Sequence, residues 1–89
     1  MTTFSHSLWI NEQLFLFSFS EVQRLDSSKF YVAVKDSRQP VLAFEMKKEV
    51  HKDNWVVCQP APEWIVGKEV TFSNWINQTR VKAAGFLWN

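Results

Sequence analysis

The side chains best suited to chemistry that lie near one another along this chain are His51, Asp53 and Cys58. An imidazole beside a thiol can generate a thiolate nucleophile, and a carboxylate can orient the ring. Cys58, however, ends a short apolar run in which a small buried hydrophobe fits, and His51 and Asp53 belong to the polar stretch His51-Lys52-Asp53-Asn54, which has turn composition. We therefore expect no catalytic residue and a chain that is not an enzyme.

Other chemistries are discounted by residue count. Glycine occurs only at Gly67 and Gly85, so no glycine-rich loop can bring backbone amides against a phosphate, and no nucleotide cofactor is expected. Metal sites need donors at matched spacing, and His6, His51 and Cys58 form no paired motif. No metal and no cofactor are expected.

Binding is the chemistry left. Glu45 and Glu49 with Lys47, Lys48 and Lys52 make a mixed-charge run, which reads first as a solvated strand end guarded by lysines and second as a docking strip. Of the five Trp, Trp55 and Trp75 fall at core positions by periodicity, while Trp9, Trp64 and Trp88 lie near element ends, where an exposed ring can stack on a base, a sugar or a partner side chain. Tyr31 and His6 are polar handles for an aromatic pocket between helix and sheet. The candidate interaction surface is accordingly Trp9, Tyr31, Trp64, Trp88, Lys47, Lys48 and Lys52.

These residues need a scaffold, and 89 residues fit a single domain spanning 1–89. Eight Phe and five Trp against two Gly and three Pro rule out disorder and low complexity. Ten Lys and Arg against nine Asp and Glu leave a net charge of +1, short of the excess that accompanies phosphate-backbone binding, so nucleic acid is a disfavoured partner. The apolar run at 14–19 is far below the ~20 residues of a membrane span and has no Lys or Arg before Arg24, so neither a span nor a signal peptide is expected. With a single cysteine, this places the chain in the cytoplasm and leaves the acceptor pattern Asn77-Gln78-Thr79 without meaning.

Period-two alternation predicts strands over 4–10, 14–22, 30–35, 41–48 and 55–58. Phe4, His6, Leu8 and Ile10 share one side of the first. Phe15, Phe17 and Phe19 oppose Leu14, Leu16 and Val22 in the second, which should be paired on both sides because its apolar run would template aggregation at an open edge. Pro60-Ala61-Pro62 ends the last strand and a loop should follow. Phe72, Trp75, Ile76, Thr79 and Ala83 recur at helical spacing opposite Ser73, Asn74, Asn77, Gln78 and Arg80, with Thr71 as N-cap, Val70 and Trp75 as a hydrophobic staple, and Gly85 just past the end. Val81 falls on the wrong side of that stripe.

The fold class is α+β: an antiparallel β-meander of about four to five strands with one C-terminal amphipathic helix packed on one face. Both faces of the sheet carry apolar residues, and one helix covers one face. The other needs a second layer: the sheet curling on itself, the N-terminal segment, or another copy of the chain. This predicts a small binding or assembly module acting through protein–protein contact, as a homo-oligomer or with a protein partner. The alternatives are a nucleic-acid binder using exposed aromatics with Lys47, Lys48, Lys52, Lys68, Arg80 and Lys82, or a domain holding a small ligand in an aromatic pocket.

Overall fold

Tight turns and period-two patterning build the sheet one hairpin at a time. The computed structural model describes residues 2–23, 25, 27–37, 39–49 and 51–88, with side chains through Val81. Strands β1 (Thr3–Ile10), β2 (Gln13–Gln23), β3 (Ser28–Asp36), β4 (Gln39–Lys48) and β5 (Trp55–Val57) form one five-stranded antiparallel sheet in sequence order. The β1–β2 connection is the two-residue loop Asn11-Glu12 between paired Ile10 and Gln13. Both loop residues have positive φ, 51° and 64°, as required where the twist of the turn must match that of the strands.

The expected meander is present, with strand ends moved by one or two residues. β2 is paired on both sides, by β1 and β3, as its apolar run demands. Two helices follow. The short α1 (Glu63–Val66) occupies the segment expected to be a loop, and Gly67-Lys68 leads from it into α2 (Glu69–Trp88).

The start of α2 departs from the expected one. The Phe72 N–H donates to the Lys68 carbonyl at 3.0 Å, so the helix is already under way two residues before Thr71 and Lys68 is the residue at its threshold. Val70 is 74% exposed and staples nothing. The preceding α1 turn sets the entry of the chain, which local cap propensity could not foresee. At the other end the helix continues through Gly85 to Trp88, so Gly85 is not a stop. Val81 lies on the solvent side, 69% exposed, and the helix does not end to avoid this.

Helix α2 lays Phe72 and Ile76 into a core formed by Phe15, Phe17 and Phe19 of β2, Phe30, Val32 and Val34 of β3, Phe44 and Met46 of β4, and Trp55 and Val57 of β5, with Ile65 of α1. Rings from different elements meet at tilted and edge-on angles, Phe17 with Phe72 at 5.0 Å and Phe30 with Trp55 at 5.0 Å, which suits the quadrupole of the aromatic face. Every one of these side chains lies on the helix side of the sheet. Among the described residues, nothing covers the other side.

Candidate functional site

The helix-free face is built by the alternate positions of the same strands. Register places Trp9 beside Leu14, Ser7 beside Leu16, Ser5 beside Ser18 and Thr3 beside Ser20. It continues Ser18 to Ala33 and Ser20 to Tyr31, then Ala33 to Ala43 and Tyr31 to Glu45. The middle of the face is thus low and made of Ser and Ala, and larger apolar groups stand around it. Trp9 is 67% exposed, Tyr31 48%, and Leu14, Leu16 and Val22 between 37 and 42%, whereas Val41, left unpaired by the register shift between β3 and β4, opens on the helix side with Phe15 and Trp64. Charges on this side, Lys29, Lys35, Glu45 and Lys47, sit along β3 and β4.

The candidate residues divide among three places. Trp9 and Tyr31 share the helix-free face. Trp64 lies on the other side, half-buried in α1 with its ring 5.3 Å from that of Phe15, where it walls the core. Lys47, Lys48 and Lys52 line an open cleft of about 610 Å³ at the end of the sheet, together with Lys29 and Arg80. The side chains of Trp88, Lys82 and Ala83 lie outside the described residues.

That cleft is less basic than its lysine count implies. Lys48 reaches Asp53 at 3.7 Å, Lys52 reaches Glu49 at 3.2 Å, and Arg80 is taken up by Glu21. The aromatic ring lining it is Trp55, which is 2% exposed and offers no platform for a base. Lys68 is not among the cleft's lining residues.

His51 and Asp53 line this cleft, whereas Cys58 opens onto a different one with Tyr31, Glu45 and Pro60. The sequence cluster is therefore divided between two surfaces. His6 and Tyr31, the two polar handles, stand on opposite faces of the sheet: His6 is stacked on Trp75 at 4.5 Å, and Tyr31 faces solvent. Among the described residues no group of three His, Cys, Asp or Glu gathers to hold a metal, and no helix is long and apolar enough to cross a membrane.

Three polar contacts that sequence reasoning did not anticipate fix the helix against the sheet. Glu21 continues the core-facing alternation of Phe15, Phe17 and Phe19 and is 6% exposed. Its carboxylate accepts from the Thr2 backbone N–H at 3.1 Å and from Arg80 Nη1 at 2.7 Å, and the guanidinium lies 5.6 Å from the Trp55 ring centre. Burial alone pushes the Glu21 carboxyl up, but the hydrogen bonds from Arg80 and Thr2 and the charge of Arg80 outweigh it and hold the group below its ordinary 4.5. A carboxylate on the phenylalanine side of an alternating strand is itself the sequence signal that a cation must come to meet it.

The second contact is along β5, whose outer backbone edge would otherwise be bare. The Val57 N–H donates to Glu69 Oε2 at 2.8 Å and the Trp55 N–H to Ser73 Oγ at 3.0 Å. The third is Asn77, which accepts from the Trp55 indole at 3.2 Å and donates to the Asp53 carbonyl at 2.6 Å. Residues four apart on a helix rise ~6 Å and alternate strand amides repeat at ~6.8 Å, so one flank of α2 matches one edge of β5. Ser73, Asn77 and Arg80 are thus turned to the sheet, correcting the expectation that they face solvent. The helical wheel places them beside the apolar stripe at about 80–140° from Phe72, and whether that flank is wet depends on the strand it lies against.

The helix therefore seals one edge of the sheet and one of its faces. The β1 edge and the helix-free face stay open. No protein-family model matches this chain, and comparisons with curated proteins and with solved structures give no match.

Proposed function

We propose that this chain is a non-enzymatic binding and assembly module that works by protein–protein contact through the helix-free face of its sheet. One observation carries the reading: Trp9, Leu14, Leu16, Val22 and Tyr31 stand exposed on that face, and no described segment lies over them. Antiparallel sheets commonly keep one face wet, but then alternate it with polar residues. A solvated role does not account for leucine, valine, tyrosine and tryptophan in these positions, whereas a surface that trades water for a partner does. The partner is a second copy or another protein.

The test is the solution mass of the 10.5 kDa chain over a concentration series, with amide shifts mapped by NMR in buffer and in cell extract. Rising mass that the Leu16→Glu/Tyr31→Glu variant abolishes, or shifts concentrated at Leu16 and Tyr31 and lost in that variant, support the reading. A monomer at every concentration whose face amides do not move in extract refutes it.

A second reading draws on the gathering of Lys29, Lys47, Lys48, Lys52 and Arg80 at one cleft, which favours a nucleic-acid backbone as ligand. Against it stand the ion pairs of Lys48, Lys52 and Arg80, and the position of Trp9 at the far end of the β1–β2 hairpin. Salt-sensitive binding of a single-stranded oligonucleotide, weakened by Lys29→Ala/Lys47→Ala, would favour this reading over the first.

A further inference from the structure

We propose that β1 is a self-pairing edge, through which two copies of this chain join antiparallel into one continuous sheet with Ser5 of each strand opposite Ser7 of the other. This rests on the reading of the chain as an assembly module and goes beyond it, naming a second surface, the open edge beside the helix-free face, and its occupant, a second copy of the chain.

The first support is which backbone groups β1 leaves open. The Glu21 N–H donates to the Thr2 carbonyl, and in an antiparallel ladder the bonded residues alternate. Phe4, His6, Leu8 and Ile10 therefore direct their N–H and C=O groups to β2, and Thr3, Ser5, Ser7 and Trp9 direct theirs outward. Among the described residues no backbone group answers them.

The second support is the contrast between the two edges. β5 is three residues long, and the Glu69 and Ser73 side chains of α2 bond its outer amides. β1 is eight residues long, TFSHSLWI, with no charged residue, no Pro and no Gly in it. Lysines, prolines and bulges are the devices that keep an exposed edge from pairing, and β1 carries none of them.

The third support is self-complementarity. Only outward-directed residues can form bonded pairs, so an antiparallel partner must match odd positions to odd positions. Matching Ser5 with Ser7 also matches Thr3 with Trp9, and all four outward residues of each strand are then paired. Sliding by two residues in either direction leaves one of them unpaired on each strand. In this register the 67%-exposed Trp9 lies opposite Thr3 and diagonal to Ser5 of the second copy, small neighbours that leave room for an indole.

The area sets the strength. A paired strip from Thr3 to Trp9 is ~24 Å long at strand rise. The molecule is 19 Å through its thinnest dimension, which gives about 900 Å² over both copies, close to the ~1,000 Å² lower bound for specific interfaces. The dimer is accordingly reversible and concentration-dependent.

The experiment uses the full chain in two charged forms, Ser5→Lys/Ser7→Lys and Ser5→Glu/Ser7→Glu, each checked for native circular dichroism. The register places like charges directly opposite in each homodimer and opposite charges in the mixture. Each variant alone is expected to dimerise roughly tenfold more weakly than wild type by sedimentation, and an equimolar mixture to recover the association. Wild-type amides of Ser5 and Ser7 are expected to gain exchange protection as concentration rises. If wild type dimerises but the variants do so equally well, or Ser5 and Ser7 gain no protection, the edge proposal falls while the assembly reading stands. If wild type stays monomeric at every concentration, the edge proposal falls, and the extract arm of the earlier test then decides the wider reading.

Discussion

Replacing Arg80 with methionine keeps much of the apolar stem over Trp55 and removes the charge that meets Glu21. The Glu21 side chain is 3% exposed and that of Arg80 42% exposed, so the pair is buried at one end and wet at the other. Stripping one partner from a fully buried pair costs about 3–5 kcal/mol, and the exposure of the guanidinium brings the expectation here down to about 2 kcal/mol. Against a total of about 4–13 kcal/mol for a domain of this length, that is a large fraction. The pH dependence identifies the cause. In the native protein the Glu21 carboxyl titrates below its unfolded value, so its contribution is present above pH 4.5 and is lost as the pH falls through the lower folded value. The stability difference between wild type and Arg80→Met should therefore be full at neutral pH and shrink as Glu21 is protonated in acid. Denaturant unfolding at a series of pH values measures it, with Arg80→Lys expected to fall between the two. A deficit that is the same at pH 7 and pH 3.5 would mean that lost packing, and not an uncompensated carboxylate, is the cause, and would refute the electrostatic account.

Ser73→Ala removes the acceptor of the Trp55 N–H and should cost about 1–2 kcal/mol, with faster hydrogen exchange at Trp55 before any global loss. Glu12→Gly relieves a non-glycine residue at φ 64° in the β1–β2 turn and should raise stability by about 0.5–1 kcal/mol, read as an increase in melting temperature. Phe17→Ala opens a cavity at a side chain that is 0% exposed and should cost about 3–5 kcal/mol, whereas Leu16→Ser next to it, on the helix-free face, should change monomer stability by less than about 0.5 kcal/mol in a denaturant titration.

The neighbouring pair Leu16 and Phe17 shows what the sequence by itself determined. Strand alternation is a property of adjacent residues, so the two faces of β2 and its pairing on both sides follow from periodicity, and short turns point to a meander, while the order of the strands came from the structure. The excess of apolar positions over one helix's capacity to cover them was legible on the same grounds, which is why the open face with Trp9 and Tyr31 could be anticipated. The true start of α2 could not be, because α1 sets it, nor could the separation of Cys58 from His51, because the intervening strand directs them to different surfaces.

Only the tertiary structure decided how α2 is docked and which groups it answers. Arg80 meets Glu21 across 59 residues of chain, and Ser73 and Asn77 meet Trp55 of β5 across 18 and 22. A helical pattern defines which residues neighbour one another around the axis and says nothing of what lies beside each flank. Docking along β5 turned a polar flank into an edge cover and left β1 bare. Which side of a sheet remains open depends on where its helix comes to rest, and that is set by contacts between segments far apart in the chain.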